Sequence, residues 1–274
     1  MKKLIALCLS VLLLVSLAAC ASTTGKLEKI KNKGTLIVYT DANFNPFEFT
    51  GPSGGPEGVD MEIAKAIADE LGVKLEIKEA GFDSILMSLK GGKGDIAISG
   101  FTITEDRKKN VDFSDPYINS VQYLLLPEGS SLATVEDLAG RKVGVASGYT
   151  GQLLLDYEMG KDEEENDVED YVGVLFEKGT TVNQYASAME AVLDMNNGKI
   201  EAVVMDEYVA KNIANKNSGI AAKELRYANG DLAAEEYGVA LPKGNPELLD
   251  VINTVLQRLL SENKIEQWVL QFSE

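Results

Sequence analysis

Two stretches of this chain, GKGDIAISG at 92–100 and NGKIEAVVMD at 197–206, are built alike: a helix end, a turn carrying Gly and Lys, then an apolar strand that leaves at its carboxyl end. A motif of this kind in each half constrains the fold strongly, because each copy needs its own sheet and flanking helices to bury it. The surrounding sequence keeps the same rhythm. TLIVY (35–39) reads as a strand. After the turn-rich GPSGGPEG (51–58), Val59, Ile63, Ile67 and Leu71 recur at helical spacing up to Gly72, a residue suited to closing a helix. VKLEIK (73–78) reads as a strand, 82–89 as a helix and DIAIS (95–99) as a strand, which makes a compact βαβαβ unit. In the second half, 142–146 and 172–176 read as strands, 182–195 as a helix and 200–205 as a strand. The prediction is an α/β chain of two lobes, and 274 residues are enough for both. In open α/β sheets ligands bind at the carboxyl ends of strands, which draws attention to Gly100 and Asp206.

The amino terminus follows a different logic. Met1-Lys2-Lys3 leads into LIALCLSVLLLVSLAAC, a basic start, an apolar run and small residues, which is the layout of a secretory signal. A transmembrane anchor is the alternative. It needs about 20 apolar residues, and this run is marginal. Leu17-Ala18-Ala19-Cys20 resembles the lipobox of bacterial lipoproteins, which implies cleavage after residue 19 and a lipidated, palmitate-bearing Cys20. Two or more acyl chains give stable attachment to a membrane.

Several chemistries are excluded by inventory. The other cysteine, Cys8, lies inside the leader, and the chain has no histidine. That leaves no thiol for a disulfide or redox site, no Ser-His or Cys-His catalysis, and no histidine or thiolate ligand for a metal. A formal net charge of −17 argues against nucleic acid as a partner. The acidic run EMGKDEEENDVED (158–170) lacks the spacing of a calcium loop and reads as a solvated surface loop. The last segments, 247–260 and 264–272, read as amphipathic helices with Trp268 on the apolar side.

TDANFNPFEF (40–49), GVDMEIAKAIADELG (58–72), FDSILMSLKGGKGDIAISGFTITEDRKKNVDFSDPY (82–117), VASGYTG (145–151) and VVMDEY (203–208) occur in this order. Together they make the chain, from about Gly34 to Phe272, resemble bacterial extracellular solute-binding proteins of family 3, the substrate-binding lipoproteins of amino-acid ABC importers. The resemblance implies the type II periplasmic-binding fold: two lobes, each a central sheet flanked by helices, joined by two crossovers. The expected division is 1–19 signal peptide, 20–33 lipidated Cys and tether, 34–118 plus 231–274 lobe 1, and 119–230 lobe 2. Crossings are expected near 117–121 and 229–233.

An amino acid is a zwitterion, and burying both charges is costly unless each meets an opposite charge. The site therefore needs a fixed cation and a fixed anion. A guanidinium holds a carboxylate bidentately, which favours Arg107 over Lys108 and Lys109. By resemblance, Arg107 grips the α-carboxylate with help from Thr102 and Thr150, while Asp206 and the carbonyl of Gly100 meet the ammonium. Each has a plainer reading: Arg107 as a surface partner of Glu105 or Asp106, and Asp206 as a helix cap. Asp41, Phe44, Phe82 and Tyr149 match positions that select the side chain; the plainer reading of Phe44 and Phe82 is core packing. Asp41 and the aromatic rings favour a polar or cationic ligand. Ala146 and Tyr149 depart from common family residues, so substrate does not transfer from well-known relatives.

The expectation is an extracytoplasmic, membrane-anchored monomer that binds a free amino acid, docks on the permease subunits of an ABC importer, and needs no cofactor or metal. The alternative on the same fold is a cyclohexadienyl (arogenate or prephenate) dehydratase, which would require a carboxyl group poised as a general acid. No motif in the sequence demands one.

Overall fold

The structure is a computed structural model that describes residues 25–160, 173–176 and 178–273. The leader, Cys20 and most of the acidic run lie outside the described residues.

The first sheet has the order β5-β1-β6-β14-β7, from β1 (Thr35–Thr40), β5 (Lys74–Glu79), β6 (Ile96–Ala97), β7 (Val111–Phe113) and β14 (Ala240–Pro242). β1 runs parallel to β5 and β6, whereas β14 is antiparallel to β6 and β7. Alternation along β1 turns Leu36, Val38 and Thr40 inward, as a strand period of two requires. Helix α2 (Val59–Leu71) buries Val59, Ile63, Ile67 and Leu71 and ends on Gly72 in the left-handed conformation. It packs against α8 (Pro246–Ser261), whose Leu248, Ile252, Val255, Leu256 and Leu259 are buried. Each fully buried aliphatic chain contributes about 1.5–3 kcal/mol, so this helix pair is a main support of the lobe. Trp268, on α9 (Lys264–Ser273), is partly buried against the same core. Three short strands, β2 (Asn43–Phe44), β3 (Glu48–Thr50) and β4 (Pro56–Glu57), form a small antiparallel sheet beside it.

The stretch expected to be tether continues into the fold. Residues 26–33 form helix α1 (Lys26–Lys33), with Ile30 buried and Lys26 and Lys33 both paired to Asp95 at 2.9 and 2.8 Å. Burial alone would raise the Asp95 carboxyl, but the two lysines and the Ile37 amide overcome it and hold it below the usual range.

The second sheet has the order β10-β9-β11-β8-β12, from β8 (Ile118–Pro127), β9 (Lys142–Ala146), β10 (Thr181–Tyr185), β11 (Ala202–Asp206) and β12 (Ile220–Glu224). β9 is parallel to β10 and β11, and β8 is antiparallel to β11 and β12. The two sheets are joined by a paired ribbon. The first half of β8 pairs with β13 (Ala234–Tyr237), Ala234 opposite Val121 and Tyr237 opposite Ile118, and its second half enters the second sheet. The return strand of this ribbon spans 234–237, and just before it Asn229 and Asp231 close a turn below Tyr227.

Two assignments in the second half change. The expected helix over 182–195 is two elements, edge strand β10 and helix α6 (Ala188–Asn196), separated by Ser187, whose hydroxyl caps the Glu190 amide. As an edge strand, β10 has no alternating burial, so its β character shows only in residue type. The expected strand at 172–176 is a turn over the described residues 174–176. There the Glu158 carbonyl lies so close to Gly173 that a β-carbon would sit 1.8 Å from it, which only glycine allows.

Candidate ligand-binding cleft

Arg107 lies on the short helix α4 (Glu105–Asn110), capped by the Thr104 hydroxyl, and is almost fully buried. Its Nη1 donates to the Thr102 carbonyl at 2.8 Å and its Nη2 to the Gly148 carbonyl of the other lobe at 3.0 Å. The guanidinium carbon lies 5.5 Å from the Phe82 ring and 5.7 Å from the Phe101 ring, within cation–π range. Glu105 pairs with Lys108 and Asp106 with Lys109, both lysines well exposed. The surface-ion-pair reading therefore describes the lysines and not the arginine.

Asp206 ends β11 and stands at the cap position of α7 (Glu207–Lys216), yet its side chain makes no capping bond. Oδ1 accepts from Gln122 Nε2 at 2.5 Å and Oδ2 from the Tyr237 hydroxyl at 2.9 Å. With 3% exposure it is a buried carboxylate turned toward the hinge ribbon. Burial pushes its carboxyl up, countered by Gln122, Tyr237 and the field of Arg107.

The lobes touch at this level. Thr102 Oγ1 and Thr150 Oγ1, the latter at the start of α5 (Thr150–Glu158), are 2.6 Å apart. Tyr149 inserts between two rings of the first lobe, with centroids 5.5 Å from Phe44 and 4.5 Å from Phe82 in edge-to-face geometry. Phe82 opens helix α3 (Phe82–Lys90) and stacks on Phe101 at 4.7 Å. Burial holds the Tyr149 hydroxyl well above its ordinary range, helped by the nearby carboxylates of Asp41, Glu48 and Asp206, so it stays neutral.

Asp41 is anchored through the Phe82 amide (3.1 Å) and the Asn43 side chain (2.6 Å). It lines a cavity of about 470 Å³ with Phe82 and Asp83 from the first lobe and Ser147, Gln184 and Tyr185 from the second. Gly100 has φ +54, and a β-carbon there would strike the Phe44 ring at 2.6 Å, so glycine is required both by conformation and by space. Its amide donates to Asp60 at 2.8 Å, and the Tyr117 hydroxyl donates to the other oxygen at 2.9 Å. Burial raises Asp60 to about 6 and Glu48, behind it, well above the usual range, with Asp60's charge adding to the Glu48 shift.

All nine residues singled out from the sequence, Asp41, Phe44, Phe82, Gly100, Thr102, Arg107, Tyr149, Thr150 and Asp206, thus lie at one boundary between the two sheets. The sequence reading missed Gln122, Glu235 and Tyr237. Gln122 Nε2 donates to Asp206 and also to Glu235 Oε1 (2.9 Å), and Thr102 Oγ1 lies 2.8 Å from Glu235 Oε2. Strand pairing is what reveals them: Gln122 and Glu235 occupy inward-facing phases of β8 and β13, where an apolar residue is the default. Glu235 is also a buried carboxyl in the cleft, the kind of group that the sequence had given no reason to expect. Among the described residues, no group of three or more Cys, Asp or Glu side chains is placed to hold a metal ion, and no helix is long and apolar enough to cross a membrane.

Two sheets joined by a paired ribbon, with buried charges of both signs where they meet, define a receptor of the type II periplasmic-binding architecture. A family model of the bacterial extracellular solute-binding proteins, family 3, matches residues 36–273, and the chain belongs to this family of binding proteins. It is 30% identical over 252 residues to a probable histidine-binding protein of Neisseria gonorrhoeae, spanning 91% of this chain and 84% of that one. An amino acid ABC transporter substrate-binding protein from Streptococcus pneumoniae, solved bound to L-arginine, superposes with a TM-score of 0.77 at 30% identity, over 91% of this chain and 98% of that one. An ancestral arginine-binding protein bound to arginine superposes with a TM-score of 0.74 at 37% identity, over 87% and 98%.

Proposed function

We propose that this protein is a lipid-anchored, extracytoplasmic receptor that closes its two lobes on a polar or cationic L-amino acid, L-arginine first among them, and presents it to the permease subunits of an ABC importer. The observation that carries the reading is the placing of one buried guanidinium, Arg107, and one buried carboxylate, Asp206, on opposite sides of the same interlobe boundary. That arrangement is complementary to a zwitterion: Arg107 takes the α-carboxylate with Thr102 and Thr150, and Asp206 takes the ammonium with the Gly100 carbonyl. The side chain would then run past Phe82 toward Asp41, where a ring face and a carboxylate suit a cation. The arginine-bound relatives and the histidine-binding relative favour the same class.

Lobe 1 would comprise 34–118 and 231–274 and lobe 2 119–230, with the β8–β13 ribbon as the hinge. Closure by rotation there brings Thr150 and Asp206 onto a ligand already held by Arg107, and the ligand favours the closed state through contacts that the open state lacks. Cys20, lipidated after removal of residues 1–19, would hold the receptor at the membrane.

A thermal-shift panel of the mature protein against all amino acids, ornithine and cystine tests this. L-Arginine or a narrow cationic or polar group is expected to raise the melting temperature, since a ligand at 100 times its dissociation constant stabilises by about 2.7 kcal/mol. A panel in which no amino acid shifts the transition would overturn the proposal.

A further inference from the structure

Glu235 has no part in the scheme above, yet its position is specific. It lies on β13 opposite Ser120 of β8, and Asp206 lies on β11 opposite Gln122 of β8. Ser120 and Gln122 both point to the buried face of β8, so one strand sets both carboxylates side by side. Gln122 Nε2 donates to both at once, at 2.5 and 2.9 Å. Further contacts come from Tyr237, whose hydroxyl is 2.9 Å from Asp206 and 3.4 Å from Glu235, from Thr102 and Thr150 against Glu235, and from the field of Arg107 on Asp206.

Two carboxylates this close do not both ionise without a cation between them. Resting on the amino-acid reading above, we infer that Glu235 is a second anion of the ammonium subsite, that it carries a proton before ligand enters, and that this proton leaves to solvent when the ligand's ammonium settles between Glu235 and Asp206. The proton resides on Glu235 because Asp206 receives the shorter bonds from Gln122 and Tyr237 and the field of Arg107. Burial and the Asp206 charge raise the Glu235 carboxyl to about 8, against the partial relief given by Thr102, Gln122 and Thr150. A protonated Glu235 can donate to Thr102, leaving the Thr102 hydroxyl hydrogen for Thr150, so the interlobe contact is compatible with the acid form.

With the lobes in contact and no ligand between them the acid form dominates below about pH 8, and the ammonium requires the anion. Binding therefore releases a proton, and affinity falls as pH falls, by up to roughly tenfold per pH unit while Glu235 stays ionised in the complex. Above that value the dependence disappears.

Calorimetric titration of the wild-type protein at pH 7 with L-arginine, and in parallel with L-histidine, L-glutamine and L-cystine, tests this in two buffers of different ionisation enthalpy. Release of about one proton per bound amino acid is expected, and close to none from Glu235→Gln. Wild-type binding without proton release, or undiminished release from Glu235→Gln, would overturn the inference and leave the amino-acid reading intact. Absence of binding by every amino acid would instead overturn that reading, and the inference with it.

Discussion

Replacing Arg107 with alanine is expected to weaken L-arginine binding by about 3 kcal/mol or more, roughly a hundredfold or greater, read by calorimetry against the wild type. Two losses combine. The α-carboxylate would be buried without its partner, and the bond from Nη2 to the Gly148 carbonyl, which ties the lobes together, would vanish. Arg107→Lys keeps the charge but loses the planar fork and its stacking on Phe82 and Phe101, and should fall between the two. Wild-type affinity in Arg107→Ala would exclude a carboxylate clamp at this residue.

Asp206→Asn is the second large effect, and it separates two roles that the sequence left open. As ammonium partner, the residue should cost about 2 kcal/mol of affinity when neutralised, near thirtyfold, with the melting temperature of the unliganded protein hardly changed. Asn is nearly isosteric, and a neutral side chain avoids the burial penalty that already raises the Asp206 carboxyl. As a helix cap, the reverse pattern would hold: about 1 kcal/mol or more of stability lost when the capping interaction is removed, and binding preserved. The absence of a capping bond in α7 favours the first outcome.

Arg107 and Glu235 show how much of the site the sequence made legible. Arg107 could be singled out because a guanidinium suits a carboxylate better than the lysines beside it and because its motif falls in order with the others along the chain. Glu235 could not, because EEY offers two adjacent acids and only the strand phase, fixed by pairing with β8, decides which faces inward. The same holds for the fold. Helix α2 was readable because its apolar positions keep one period between a glycine turn and a glycine stop. The β10–α6 unit was misread because an edge strand carries no burial pattern and runs into a helix after Ser187. Likewise α1 reads as tether until Asp95, more than sixty residues away, supplies the partner for its two lysines.

Recognition of both ends of a zwitterion can be tested by ligand chemistry without altering the protein. Calorimetric titration of the wild type with L-arginine, L-arginine methyl ester and Nα-acetyl-L-arginine removes first the carboxylate charge and then the ammonium. L-Arginine is expected to bind, and each derivative to bind more weakly by roughly a hundredfold or more. Either derivative binding within a few fold of the free amino acid would contradict the assignment of Arg107 and Asp206 as the two poles of the site.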